Sequence, residues 1–195
     1  MGLHREKISS QPVRNAILKR RVYPLGNGRN ISPNSKDKEG ERSLKAVIQR
    51  VKRAEVRVEG RVVSRIDRGL LVLVCVEKGD DDRIINWFAD KIVSLRVFSD
   101  EAGKFNLNVK DVAGEILIVS NFTVCGILKK GTRPSFHLAE EPTIAEALIL
   151  KLRDLMEEKG IGVKLGVFGA HMEVELINDG PVTVVLERSN PANQS

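Results

Sequence analysis

The run Leu70-Leu71-Val72-Leu73-Val74-Cys75-Val76 restricts this chain more than any other stretch. Seven successive apolar residues give a strand no polar face to offer to water, so the run reads as a central strand. Before it, Ala46-Val47-Ile48-Gln49-Arg50-Val51 and Val56-Arg57-Val58 carry strand character, Glu59-Gly60 forms a turn, and Arg61–Ile66 pairs back as a hairpin arm. After it, Asp80-Asp81-Asp82 precede Ile85, Phe88, Ile92 and Leu95, whose spacing lays one apolar stripe along a helix that the acidic triplet caps. A metal-binding role for the triplet is the sharper alternative, but no further carboxylates follow at calcium-loop spacing.

Farther on, Arg96–Ser99 leads into the turn Asp100–Gly103, and Glu115–Val119 is an apolar strand that ends at the polar stretch Ser120-Asn121-Phe122-Thr123. A second helix starts near Pro142-Thr143, turns Ile144, Leu148, Leu152 and Leu155 inward, and stops at Gly160. Val163–Phe168, Met172–Leu176 and Val182–Leu186 complete the strands. Between the last two, Asn178-Asp179-Gly180-Pro181 reads as a tight reversal, because Asp-Gly is a common hairpin signal. About eight strands with two helices and several hairpins predict an α+β domain, its mainly antiparallel sheets closed into a barrel-like core with the two helices packed on the outside.

A chain of 195 residues is long enough for one well-buried core. Its charge divides unevenly: residues 1–43 carry ten Lys/Arg against four Asp/Glu, net +6, whereas residues 44–195 carry twenty-two of each. The folded part is neutral, so the basic balance is no argument for a polyanion partner. Residues 1–43, interrupted by Pro12, Pro24 and Pro33, read as a disordered basic extension or an organellar transit peptide, residues 44–189 as the domain, and 190–195 as a frayed tail. Cys75 and Cys125 sit in apolar surroundings and read as buried thiols, not as a disulfide. His4, His137 and His171 lack paired spacing, so no zinc site is expected. With no membrane-length apolar run, the expected setting is soluble and cytoplasmic, or organellar if the extension is a transit peptide.

Chemistry concentrates at two strand ends that are expected to converge, Ser120–Thr123 and Asn178–Thr183. Ser120 and Thr123 bring hydroxyls, Asn121 an amide, and backbone N–H groups there are suited to an oxyanion formed when a carbonyl is attacked. Gly180 accepts backbone angles closed to other residues, and Pro181 fixes its own φ, so the pair is able to present carbonyl oxygens in a fixed direction. What is missing is a base. A Thr hydroxyl is a poor nucleophile until its proton is removed, and neither His137 nor His171 stands in a triad-like motif. The residues alone leave three readings open: hydroxyls that only satisfy strand ends, an esterase or thioesterase using Cys125 with His137 as base, and a nucleic-acid-binding module without hydrolysis. One Trp and one Tyr speak against a base-stacking platform.

Five stretches, Lys45–Val51, Ser120–Thr123, Lys130–Phe136, Gly166–Met172 and Asn178–Thr183, resemble the D-aminoacyl-tRNA deacylase family in order and spacing. The resemblance spans Leu44 to Arg188. It implies an editing esterase that needs no cofactor or metal and cleaves D-aminoacyl-tRNA, and glycine mischarged on tRNA for alanine, to amino acid and tRNA. It implies a homodimer in which a cis Gly180-Pro181 enters the partner's site and faces the bound amino acid's α-carbon, so that L-residues are excluded. Arg50 is implied to hold that loop. The substrate's terminal ribose 2′-hydroxyl is implied to assist water attack, Thr123 to bind the amino group or carbonyl region, and backbone N–H groups near Asn121 and Phe122 to hold the oxyanion. The family usually has Gln where this chain has Asn121, so no side-chain contact carries over there. Lys129, Lys130 and Arg133 lie in a nearby turn that reads either as a contact for tRNA phosphates or as a solvated basic loop. Family members usually begin with Met at the position of Leu44, which makes an upstream start assignment a further reading of the extension.

Overall fold

The computed structural model describes residues 43–128 and 131–189. The expectations for residues 1–42, for Lys129 and Lys130, and for the tail 190–195 lie outside the described residues. Strand β1 (Ser43–Val58) is the common partner of three others, pairing antiparallel with β2 (Arg61–Ile66), β3 (Gly69–Cys75) and β8 (Glu173–Ser189). Glu59 and Gly60 both take positive φ, 51° and 74°, the turn that matches the twist of a β1–β2 hairpin. Next to β3 lies β6 (Glu115–Ser120), and next to that β7 (Gly162–Leu165). The six strands curve into one nearly closed, barrel-like sheet, with helices α1 (Asp82–Ser94) and α2 (Pro142–Glu157) packed against it. A short ribbon of β4 (Phe98–Ser99) and β5 (Phe105–Leu107) stands apart.

The α+β class is as expected, while the sheet is mixed: β3–β6 and β6–β7 are parallel. The connections explain it, since α1 and the β4–β5 ribbon lie between β3 and β6, and α2 between β6 and β7. The apolar run is buried on both faces. Leu70, Val72 and Val74 join the core under the helices with Phe88, Ile92 and Leu152. Leu71 joins a smaller cluster with Val51, Ile66 and Leu117.

Asp81 caps α1 by accepting from the backbone N–H groups of Arg83 and Ile84. In α2 the inward face differs from the expected stripe: Ala145, Ile149, Leu152 and Met156 are buried, and Ile144 is 49% exposed. Either register satisfies a helical period here, and the packed one is about one residue further round.

Two expectations are corrected. Asn178-Asp179-Gly180-Pro181 is not a reversal. Residues 173–178 and 183–189 pair antiparallel with the same strand β1, so the chain keeps its direction and bulges, with Val51 opposite Asn178 and Gln49 opposite Thr183. Asp-Gly fits either geometry; the long ladder to β1 decides. Cys75 and Cys125 are not free thiols but form a disulfide, with Cα atoms 6.0 Å apart. It joins the end of β3 to a 3₁₀ turn, Phe122–Cys125, that follows β6.

Candidate active site

The strand ends of β3 and β6 floor an open cleft of about 930 Å³, with Ser120, Asn121, Phe122 and Thr123 on one side and Phe168–Met172 on another. Apolar Leu71, Leu73 and Val119 form much of the remaining lining. Ser120 ends β6 opposite Val74, and the next N–H, of Asn121, donates to the Val74 carbonyl at 2.8 Å, which anchors the 3₁₀ turn to the buried strand. Asn121 caps that turn. Its Oδ1 accepts from the Thr123 N–H at 3.1 Å and from the Thr123 hydroxyl. Val124 N is spent on the Asn121 carbonyl. Phe122 N, at the first position of the turn, has no acceptor inside it, because the first amides of a helical turn never do.

This arrangement defines what Thr123 is equipped to do. Its hydroxyl proton is committed to an amide oxygen, which accepts a hydrogen bond but does not remove a proton at neutral pH. Thr123 is therefore not activated as a nucleophile, and its oxygen lone pairs are what it offers to the cleft. His171 also lines the cleft, while His137 does not; the His137 Nδ1 lies 2.9 Å from Ser135 Oγ in an exposed turn. The Cys125–His137 esterase is overturned, because Cys125 is oxidised to the disulfide and has no thiolate to offer. Arg133 is exposed and is not part of the cleft lining.

The second predicted segment is built differently. Asp179, Gly180, Pro181 and Val182 stand outside the β1 ladder as the β8 bulge. The Asn178 side chain closes the bulge, accepting from Val182 N at 2.8 Å and donating to Val182 O at 3.1 Å. The Gly180–Pro181 bond is cis, and both residues are exposed. Arg50, the β1 residue the bulge skips, is 9% exposed; its Nε donates to the Asp179 carbonyl at 2.8 Å and its Nη1 to the Val97 carbonyl at 2.5 Å. None of Asn178–Thr183 lines the cleft of its own chain, so the two segments do not converge within one protomer. Gln49, which does line it, reaches Thr183 Oγ1 at 3.3 Å.

A family model described as D-Tyr-tRNA(Tyr) deacylase matches residues 47–187. The chain belongs to the D-Tyr-tRNA(Tyr) deacylase family. A D-aminoacyl-tRNA deacylase of Carboxydothermus hydrogenoformans is 53% identical over 144 residues, 74% of this chain and 99% of the relative. One from Thermotoga petrophila is 50% identical over 146 residues, 75% of this chain and 98% of the relative. A solved structure of a c-Myc DNA unwinding element binding protein is 41% identical with a TM-score of 0.70, covering 75% of this chain and 99% of that one. Another, of a probable eukaryotic D-amino acid tRNA deacylase, shares the fold at 15% identity and a TM-score of 0.66, covering 75% of this chain and 100% of that one.

For a deacylase, a hydrolase by class, two features of the cleft were not assigned from sequence. The wall Phe168–Met172 belongs to a stretch that carried the resemblance, yet its residues had no role until the cleft brought them opposite Ser120–Thr123. One residue beyond the lining Val76, Glu77 is buried against Lys45 Nζ at 3.1 Å, and its N–H donates to Asp80 Oδ2 at 2.8 Å. Burial, with the carboxylates of Glu77 and Asp81 nearby, pushes the Asp80 carboxyl up to about 7. Among the described residues no group of three or more His, Cys, Asp or Glu is arranged to hold a metal.

Proposed function

We propose that this deacylase hydrolyses the ester of D-aminoacyl-tRNA, and of glycine mischarged on tRNA for alanine, and rejects L-aminoacyl esters sterically. The reading is of a homodimer in which the Gly180-Pro181 bulge of one protomer roofs the cleft of its partner. Its carbonyl oxygens face the α-carbon, where an L side chain would collide with them and a D side chain or a hydrogen would not. The bulge supports this by its construction. It is exposed, absent from the cleft of its own chain, and held from behind by Arg50 and Asn178.

In the cleft, Thr123 accepts from the substrate's α-ammonium, since its own proton is held by Asn121. The Phe122 N–H stabilises the oxyanion, a contribution of about 3 kcal/mol by analogy with other oxyanion holes. Water attack is assisted by the terminal ribose 2′-hydroxyl of the tRNA, and the committed Thr123 proton is the observation that supports this route: the Thr123 hydroxyl is not poised to attack. Lys129, Lys130 and Arg133 meet phosphates of the acceptor end, so each contact removed lowers the salt slope by about one. The setting is wherever charged tRNA is found, cytoplasm or organelle.

The test is release of D-tyrosine and L-tyrosine from matched charged tRNAs, with a 2′-deoxy terminal sugar as third substrate. D-tyrosine should leave more than about 100-fold faster, a difference of about 2.7 kcal/mol, and the deoxy substrate should be inert. Equal rates for the two enantiomers would sink the gate, and full turnover of the deoxy substrate would sink the assistance. A nucleic-acid-binding role without hydrolysis is the second reading, favoured by the name of the 41% identical structure. Tight binding of uncharged tRNA with no release of either amino acid would select it.

A further inference from the structure

Phe105 is a large apolar residue left 51% exposed on the β4–β5 ribbon, and it belongs to none of the stretches that carried the family resemblance. Arg50 lies against its ring. The Arg50 guanidinium carbon is 5.2 Å from the Phe105 ring centroid and 6.0 Å from that of Phe98, which is buried. Between these rings the guanidinium donates to two carbonyls on different elements, Asp179 on the bulge and Val97 before β4. Its Nε also pairs with the Asp179 carboxylate, Oδ2 at 3.6 Å.

A cation that is only 9% exposed and shares a single carboxylate gains further compensation from aromatic faces. A flat ring does something more: it restricts rotation of the planar guanidinium and so sets the direction of both donated bonds. The ribbon is stiff enough for that. Asp100 Oδ1 accepts from the N–H groups of Ala102 and Lys104, each at 2.9 Å, which closes the turn just before Phe105 and registers it against Ser99. At the other end of the relay, Arg50 abuts the bulge itself, since a Cβ on Gly180 would lie 3.3 Å from Arg50 Nη2.

We propose that Phe105 is a positioning residue for stereochemical selection: its ring caps the Arg50 guanidinium, which in turn fixes the Asp179-Gly180-Pro181 backbone. This rests on the reading of that backbone as the chiral gate. A loosened gate both binds the D-substrate less well and admits more L-substrate, so the ratio of the two rates is the sensitive quantity.

The experiment measures kcat/KM on D-tyrosyl-tRNA and L-tyrosyl-tRNA for the full chain carrying Phe105→Ala, Phe105→Leu or Phe105→Tyr, beside Arg50→Gln and Gly180→Ala, with thermal melts of each. Phe105→Ala should lower the D-to-L ratio about tenfold with the melt little changed, and Phe105→Leu should resemble it. Phe105→Tyr should restore the ratio to within about twofold, because it keeps the ring face. A wild-type ratio for Phe105→Ala, or full rescue by Leu, would overturn the proposal while Arg50→Gln and Gly180→Ala still lose selectivity. If those two also keep the wild-type ratio, the gate reading itself has failed, and the proposal with it.

Discussion

The 3₁₀ turn after β6 and the bulge in β8 are both closed by an asparagine side chain, and they present opposite chemistry. Asn121 accepts from the residue two places on, and the turn it caps begins with an N–H that has no acceptor inside the turn. Asn178 bridges both backbone groups of Val182 and leaves a segment whose proline has no N–H at all. One is a donor site, the other an acceptor surface. Their supports differ as well. The turn is anchored to the buried end of β3 by a backbone bond and a disulfide, whereas the bulge is held chiefly by side chains, those of Asn178 and Arg50. An electrophile must meet donors at an invariant distance, while a gate needs only to be stiff against one direction of approach.

If the acceptor surface discriminates and the donor site catalyses, damage to each should read out differently. Gly180→Ala should have the largest effect. A Cβ there would lie 2.7 Å from both Val182 Cγ2 and Val182 N, at a φ of +150°, so the bulge must deform. We predict a fall in D-aminoacyl-tRNA kcat/KM of about 100-fold or more, about 2.7 kcal/mol, with circular dichroism unchanged; wild-type turnover would remove the bulge from the site. Thr123→Ala should cost about tenfold, as expected for one lost hydrogen bond to a charged group. The two defects should complement in trans. On the proposed dimer, chains carrying Gly180→Ala mixed with chains carrying Thr123→Ala would give heterodimers with one intact composite site, and should recover roughly a quarter of wild-type activity. No recovery, with exchange of protomers verified, would place both segments in the same protomer's site.

Asn121→Ala should be milder, with stability lower by about 1 kcal/mol from the lost cap and turnover reduced several-fold as Thr123 gains rotational freedom. Asn121→Gln, the usual family residue, probes whether the longer amide still commits the Thr123 proton. Wild-type turnover by the Ala variant would show that the cap does not orient Thr123.

Asp80, beyond the end of β3, gives a pH test of the fold behind the two segments. Its folded carboxyl titrates near 7 because it is buried, and its unfolded one near 4. Between those values the folded state holds more protons, so the Asp80 contribution to stability falls as pH rises from about 4 to about 7 and is level beyond. Asp80→Asn removes that slope, and its melting temperature should gain on wild type as pH rises through this window, by about 2–4 °C per kcal/mol. A difference that does not vary with pH would place the titration elsewhere. The smallest effect belongs to Cys125→Ser. Its ester hydrolysis should stay within about twofold of wild type, and the disulfide-bonded wild type should be insensitive to alkylating reagents, since a thiolate plays no part in the chemistry.

Local rules made much of this legible. The unbroken Leu70–Val76 run signalled a strand without a wet face, and the triplet Asp80–Asp82 signalled a cap, which Asp81 provides; both depend on neighbours close in sequence. What escaped was long-range. Asn178–Pro181 carries a turn signature that a hairpin and a bulge share, and only the ladder to β1 separates them. The Cys75–Cys125 bond spans a sequence separation of 50 in surroundings that suit a buried thiol equally well. Arg50 looks like any strand arginine until the Asp179 carbonyl, 129 residues away, is brought to it. The candidate site residues came as a set from the family resemblance; the direction of the Thr123 proton, which bears on what that residue is equipped to do, required coordinates.

Strand β1 has a consequence for which changes of length the chain tolerates. Side chains alternate along it, Gln49 toward the cleft and Arg50 toward the bulge, and it templates both halves of β8. One inserted or deleted residue between Lys45 and Gln49 would slide that template by a single step and exchange the two faces, leaving a guanidinium in the cleft and an amide behind the bulge. Insertions and deletions are therefore expected to be tolerated in loops such as the exposed turn around Gly131 and not inside β1, where a single step would take the guanidinium away from the bulge it supports.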